Sequence, residues 1–386
     1  MPMEYTGQLF SAALEGEVKL LIEERGLTLS SLFDACHIPY AELTAIETPE
    51  YQLLIRTKTD AFLISRLGSN RDAFYEELYA AYNRKVRKAL FVQDKPLLVT
   101  RGEYRYTESG GSASGTAIIE VYGNCILLLP PDDKGRRIPL CFAKRMTKGS
   151  FELTLELDTG ESYTFLRLSH DTDSFADCIT KCLHTLRENS IRAVKEIDGS
   201  LTSSQQQVIA RLMPEGVAVQ FSKLYEIAPS IPKALEEKIN ESRIVEEYKV
   251  FKEICDPMRI YVGMKSKLAG EEAENILWLI CPGAKPGVAA VELAISEESA
   301  AATFLYRGFE EWEDFCRRLN HAMEAIDFKR EVIRLTEEEL HRQEYDDYVM
   351  AVDRNRSLQF IRKHFGGRVI HSSEERWKQE LLKHMQ

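Results

Sequence analysis

The sequence predicts an α+β protein: three bent β-sheet or barrel units, each closed by a C-terminal helix, with a helical connector before the third unit and a helical C-terminal tail. Three observations carry this. Short apolar runs separated by turn formers precede one amphipathic helix over Ile38–Arg84. The same succession restarts at Ile138, and a diverged version ends in VAAVELAISEESAAATFLYRGFEEWEDFCRRLNHAMEAI. Finally, the closing helices keep one phase. Ile38-Pro39 returns as Ile138-Pro139 at an offset of 100, while Arg66-Leu67, Phe74, Leu78 and Tyr82 return as Arg167-Leu168, Phe175, Ile179 and Leu183 at 101. A further 140 residues on stand Arg307, Phe315, Leu319 and Met323. Such a period exceeds the roughly 20–50 residues of a solenoid repeat, so the units are domains.

In chain order, residues 1–15 read as a short helix or lead-in, and Glu17 to Ser31 as a hairpin turning at Arg25-Gly26. Ile38-Pro39 opens a strand, where proline is tolerated. Tyr51 to Thr57 and Ala61 to Leu67 follow as strands. Ser69 or Asn70 caps a helix that lays Phe74, Leu78, Ala81 and Tyr82 on the sheet. In the second unit PLLVTRGEYRY is extended, GGSASG (110–115) is a linker or hairpin tip without the lysine of a P-loop, and Gly123-Asn124 is a hairpin turn. Strands follow at Ile138, Phe151 to Leu157 and Tyr163 to Leu168, then a helix from Asp173 to Val194. Residues 203–213 form a short helix capped by Ser203 or Ser204, and Ala234 to Ile254 one long charged helix after Pro229 and Pro232. Strands at Met258–Met264, Asn275–Cys281, Val288–Ile295 and Ala301–Arg307 make the third unit. No convincing strand lies beyond Glu331; Thr336 to His364 forms one helical pattern stopped by Gly366-Gly367, and Ser372 or Ser373 starts a last helix.

A net charge of −11 over 386 residues argues against bulk nucleic-acid binding. Eight scattered cysteines read as reduced and mostly buried, which with no basic-then-apolar leader and no 18-residue apolar run predicts a cytoplasmic location.

An Ile-Pro opening strand with the apolar-acidic run IPYAELTAIE, a strand pair and one closing helix resembles the pleckstrin-homology-like superfamily, in particular the bacterial PH and GRAM-type domains. The resemblance spans residues 1–92, 95–195 and 257–330, with 196–256 a connector or insertion and 331–386 the tail. It implies a binding module for peptides, proteins or phosphoinositides rather than an enzyme. The first hairpins depart from the lipid-gripping pattern. They offer Lys19 and Arg25 beside Glu23 and Glu24, nothing basic in VYGNCILLL, and Lys265 and Lys267 in the third unit.

The densest basic cluster is Lys134, Arg136, Arg137, Lys144, Arg145 and Lys148, a candidate anionic-ligand patch. The tail is charge-polarised: residues 331–353 hold eight acids against two bases, residues 354–386 eight bases against three acids. Arg354, Arg356, Arg362, Lys363 and Arg368 are accordingly a candidate partner-binding tail. Cys178, Cys182 and His184 lack a fourth ligand for zinc, and Cys182 aligns with the sheet-facing Ala81 and Ala322. Cys36-His37 has no nucleophile–base spacing, His170, Asp171 and Asp173 read as a helix cap, and Asp346-Asp347 with His341 as exposed helical charge. No catalytic motif is present. These readings predict a non-enzymatic protein-binding scaffold without a cofactor, its partners proteins or itself. The alternative is a peripheral membrane adaptor that meets anionic lipid through the basic patch or the tail.

Overall fold

The computed structural model describes residues 4–108, 110–168, 171–266, 275–294 and 302–386. Three antiparallel sheets and their helices divide into two compact units, residues 1–179 with 336–354 and residues 180–335 with 355–386.

In the first unit β1 (Tyr5–Phe10), β2 (Glu15–Ile22), β3 (Gly26–Ser30), β4 (Ala35–Pro39), β5 (Leu43–Glu47), β6 (Leu53–Thr57) and β7 (Ala61–Ser65) form a sheet of order 4-3-2-1-7-6-5. Residues 1–15, expected as a helix or lead-in, supply the central strand instead. Tyr5, Gly7 and Leu9 alternate inward at period two, and Tyr5 pairs with Leu20. The helix α1 (Arg71–Ala89) follows, with Asn70 at its N-cap but no side-chain cap bond.

The second sheet is built from β8 (Leu98–Glu108), β9 (Gly111–Val121), β10 (Cys125–Leu129), β11 (Arg136–Pro139), β12 (Ala143–Lys148), β13 (Glu152–Leu157) and β14 (Ser162–Leu166). Its order, 11-10-9-8-14-13-12, is that of the first sheet, strand for strand. α2 (Thr172–Ile197) succeeds it. The likeness extends to irregularities. A 3-10 turn follows each Ile-Pro, at Tyr40–Glu42 and Leu140–Phe142. A bulge falls at Leu43/Ala45 and again at Ala143/Arg145. Arg66 and Arg167 both adopt left-handed backbone (φ 59° and 51°). Of the two readings of GGSASG the hairpin tip holds: Gly110 sits in the β8–β9 turn, and residues 111–115 continue as strand, pairing along β8 from Glu108 to Tyr104.

Both faces of α1 are covered. Phe74, Leu78, Tyr82 and Val86 share one core with the first sheet, with Tyr122, Cys125, Leu127 and Leu129 of the second, and with Met350. The segment 131–133 also bonds to β5, Ile46 N donating to the Pro131 carbonyl at 2.8 Å. The two sheets of this unit are therefore one packed body.

In the second unit α3 (Ser203–Leu212) is capped by Thr202 rather than a serine, in a reciprocal capping box with Gln205. β15 (Val219–Gln220) and α4 (Phe221–Ile227) come next. The single charged helix expected over 234–254 is two, α5 (Ser230–Asn240) and α6 (Val245–Ile254). Ser242 Oγ takes the Ile239 carbonyl (2.7 Å), and that local bond competes with helix continuation. Pro232 lies in the first turn of α5, where no intrahelical N–H is needed.

β16 (Tyr261–Ser266), β17 (Asn275–Pro282), β18 (Val288–Leu293) and β19 (Ala302–Arg307) form a meander; Lys267, Ile295 and Ala301 lie outside the described residues. α7 (Trp312–Ala325) follows, and Phe315 is fully buried in it, as Phe74 and Phe175 are in theirs. The expected helix over 336–364 is broken. After α8 (Glu331–Arg334) come α9 (Glu337–Leu340), α10 (Asp346–Asp353) and α11 (Arg356–His364), the last restarted by Asn355, whose side chain caps Leu358 N at 2.8 Å. Gly366-Gly367, expected as a helix stop, belongs to β20 (Phe365–Ile370), which pairs with β19. Phe365 packs on Phe304 and Tyr306, and this apolar contact outweighs the helical pattern before it. α12 (Glu374–Met385) ends the chain's order of elements. The third sheet runs sequentially from β15 to β20, unlike the other two. Among the described residues no helix is long and apolar enough to cross a membrane.

Candidate interaction surfaces

In the first sheet the register places the β1–β2, β3–β4 and β6–β7 turns at one end. The first two turns expose apolar side chains there: Leu32 is 93% exposed, Phe33 92% and Phe10 63%. Serines hold both turns. Ser31 Oγ accepts from Asp34 N at 3.0 Å, and Ser11 Oγ accepts from Leu14 N at 3.1 Å while donating to the Leu14 carbonyl. The tips are thus fixed without using the apolar side chains they present. Residues 4–18 and 27–37 contain Glu4, Glu15, Glu17 and Asp34 but neither lysine nor arginine. Lys58, on the third turn, is paired with Asp353 at 2.8 Å. This end is apolar with an acidic surround. Sequence reading missed it, although Leu32-Phe33 between Ser30-Ser31 and Asp34 is an apolar pair among turn formers.

The predicted basic patch is dispersed. Arg136 is spent inside the second sheet, over the Tyr106 ring at 5.0 Å and 3.5 Å from Glu108. Arg137 donates to the Leu90 carbonyl. Lys134 pairs with Asp133, and Lys148 with Asp173 at 2.5 Å, in the first turn of α2. Lys144 and Arg145 are exposed on β12, a terminal strand. An open groove of about 330 Å³ is lined by Tyr75, Tyr79, Arg101, Ile118, Pro131 and Arg167, and neither Lys144 nor Arg145 lines it.

The tail arginines are not one surface either. Arg354 is buried and donates to the Tyr82 hydroxyl (2.7 Å) and the Met350 carbonyl (3.2 Å). Arg362 donates to the carbonyls of Val332 and Ile333. Arg356, Lys363 and Arg368 are exposed. Asp347, expected as exposed charge, pairs with the buried Lys85 at 2.7 Å and with Lys88 at 3.1 Å. His341 Nδ1 lies on the Glu337 carbonyl, not on a carboxylate pair. His37 Nδ1 meets Thr28 Oγ1 at 2.9 Å. His170 lies outside the described residues, and its neighbour Asp171 accepts from Thr100. His184 pairs with Glu188, away from the buried Cys182.

The second unit holds a polar cluster that the sequence did not reveal. His371 lies between Glu292 (Nε2–Oε2 3.1 Å) and Glu247 (Nδ1–Oε1 3.3 Å). Thr303 donates to Glu292 at 2.5 Å and accepts from Trp377 Nε1 at 2.8 Å. Burial lowers the His371 pKa, but the Glu292 hydrogen bond and the charges of Glu292 and Glu247 outweigh it and leave the imidazole above its ordinary value. Burial and Glu292 push the Glu247 carboxyl up. Among the described residues no group of His, Cys, Asp and Glu could hold a metal ion.

No protein-family model and no curated protein matches the chain. Among solved structures it is similar to one described as the Spt16D Pob3N heterodimer, at 13% identity and a TM-score of 0.17, over 41% of this chain and 86% of that one.

Proposed function

We propose that this chain is a non-enzymatic protein-binding scaffold built from pleckstrin-homology-like modules, and that the end of the first sheet carrying Phe10, Leu32 and Phe33 is its principal docking surface. The observation that carries the reading is the near-complete exposure of Leu32 and Phe33 on a serine-braced turn. Large apolar side chains held together in water mark interaction sites more often than scattered ones do. The surround selects the partner. With Glu15, Glu17 and Asp34 near the tips and neither lysine nor arginine in residues 4–18 and 27–37, an anionic bilayer is repelled. A protein with an apolar pocket rimmed by lysine or arginine fits both features. The identical strand order of the first two sheets supports the modular part of the reading.

The test compares the full chain with a Leu32→Ser/Phe33→Ser variant and a Lys144→Glu/Arg145→Glu variant, in protein capture and in flotation with phosphatidylserine vesicles. Partners lost only with the tip variant, bound more weakly as salt rises, support the proposal. Capture indifferent to the tip, or vesicle flotation abolished by the Lys144/Arg145 changes, overturns it in favour of the membrane adaptor.

A further inference from the structure

Two thiols in the second unit face one another. Cys255 Sγ lies 3.7 Å from Cys281 Sγ. Cys281 is buried on the interior strand β17, while Cys255 is half-exposed and directly follows α6. The backbone at Cys255 is already extended (φ −143°, ψ 165°), so the residue is outside the helix and its side chain can close the remaining gap without unwinding a turn. A half-exposed thiol backed by a buried one is the arrangement of an attacking and a resolving cysteine.

We propose that Cys255 and Cys281 form a peroxide-responsive dithiol, with Cys255 attacking and Cys281 resolving. The Cys255 thiolate attacks one oxygen of hydrogen peroxide; the O–O bond breaks, hydroxide leaves and takes up a proton as water, and Cys255 becomes a sulfenic acid. Cys281 then gives up its proton and attacks the Cys255 sulfur; the S–S bond forms, the S–O bond breaks, and a second water leaves. Two thiols lose two electrons and one peroxide gains them. The electrostatics divide the roles in the same sense. The Cys281 hydrogen bond holds the Cys255 thiol below its ordinary value against burial, with Arg259 adding to the effect. Burial pushes Cys281 well up, which suits a group that reacts second. The product would staple the C-terminus of α6 to β17. α6 also carries Glu247, which meets His371, and its Glu253 pairs with Lys378 of α12 at 2.9 Å. Oxidation therefore acts on the platform that holds α12 and β20.

The experiment uses the reduced full chain, treated with limiting hydrogen peroxide, alkylated and mapped by mass spectrometry without reduction. The expected result is loss of two of the eight alkylatable thiols, with one peptide pair joining Cys255 to Cys281. Native-state alkylation supplies the internal comparison. Cys36 is also half-exposed, but burial and then Asp60 and Glu42 push its thiol up, so Cys255 should react at least about tenfold faster. In Cys281→Ser, dimedone should trap a sulfenic acid on Cys255; in Cys255→Ser, Cys281 should stay unmodified. Peroxide that leaves both thiols alkylatable, a link from Cys255 to any other cysteine, or a dimedone adduct on Cys281 overturns the assignment. Circular dichroism on both variants separates loss of reaction from loss of fold. If Cys281→Ser unfolds, the wild-type peptide map and the Cys255→Ser chain decide alone.

Discussion

Arg87 grips Glu120 with two bonds: its Nε donates to Oε2 at 2.8 Å and its Nη2 to Oε1 at 2.5 Å. The arginine is on α1, after the first sheet, and the glutamate is on β9 of the second. Tyr122 adds a third bond to the carboxylate at 2.7 Å. The Glu120 side chain is 3% exposed, so it relies on these partners.

Arg87→Met should therefore destabilise the first unit by about 3–5 kcal/mol, since it strands a buried carboxylate. The paired change Arg87→Met/Glu120→Leu should recover most of the loss, because the charge leaves with its partner. Urea unfolding of both variants measures this. A small effect of Arg87→Met alone would mean that water reaches Glu120.

Stability should also fall with rising pH through the His371 cluster. The imidazole is held above its ordinary value, about 6.5, so the folded chain binds that proton more tightly than the unfolded chain. The contribution is fully present below about pH 6.5 and is lost as pH climbs through the folded pKa. The raised Glu247 carboxyl acts in the same direction, favouring the protonated side. His371→Gln should flatten the decline above about pH 6.5 in the urea midpoint of the second unit. An unchanged slope would remove His371 as its source.

Asn320 satisfies both backbone groups of one residue. Its Oδ1 accepts from Ala218 N at 2.7 Å and its Nδ2 donates to the Ala218 carbonyl at 3.0 Å, with the side chain buried. Asn320→Asp keeps the acceptor, removes the donor and adds a buried charge. A cost of about 1–3 kcal/mol or more is expected, larger than for the same change at an exposed asparagine. Thermal unfolding at neutral pH and near pH 4 distinguishes the terms, because protonating the aspartate returns a donor.

Gly263 lies opposite Trp278 across β16 and β17, and a Cβ there would stand 2.1 Å from the indole nitrogen. That nitrogen donates to the Gly216 carbonyl at 3.2 Å. Gly263→Ala should displace the ring, break the bond and shift Trp278 emission to longer wavelength with a loss of about 1–3 kcal/mol. A native-like spectrum would show that the strands can separate to make room.

Period-two alternation, turn formers and helix phase were legible. Phe74, Phe175 and Phe315 are all fully buried, and Ala81, Cys182 and Ala322 all occupy small buried positions, as the offsets imply. β1 was not legible because its inward series includes Gly7, which carries no hydrophobic signal. β20 was hidden because glycines at 366 and 367 read as a helix stop, whereas the deciding contact, Phe365 on Phe304 and Tyr306, is distant in sequence. Charge misled in a different way. Arg136, Arg354 and Lys85 look like surface cations, yet their partners Glu108, Tyr82 and Asp347 lie far enough along the chain that only folding brings them together. The Leu32-Phe33 tip was missed because an apolar pair adjoining a strand carries no signal that distinguishes it from more strand.

The interleaved order of segments has a consequence for synthesis. The first unit counts Met350 in its core and Arg354 on Tyr82, but residues 180–335 leave the ribosome before either. At about 5–20 residues per second the two sheets wait roughly ten to thirty seconds for that piece. β19 waits as well, since β20 emerges after the segment that completes the first unit. Until then an apolar strand edge and an uncovered helix face are open to other nascent chains. Translation speed and chaperone supply should thus limit the yield of this protein more than its finished stability does.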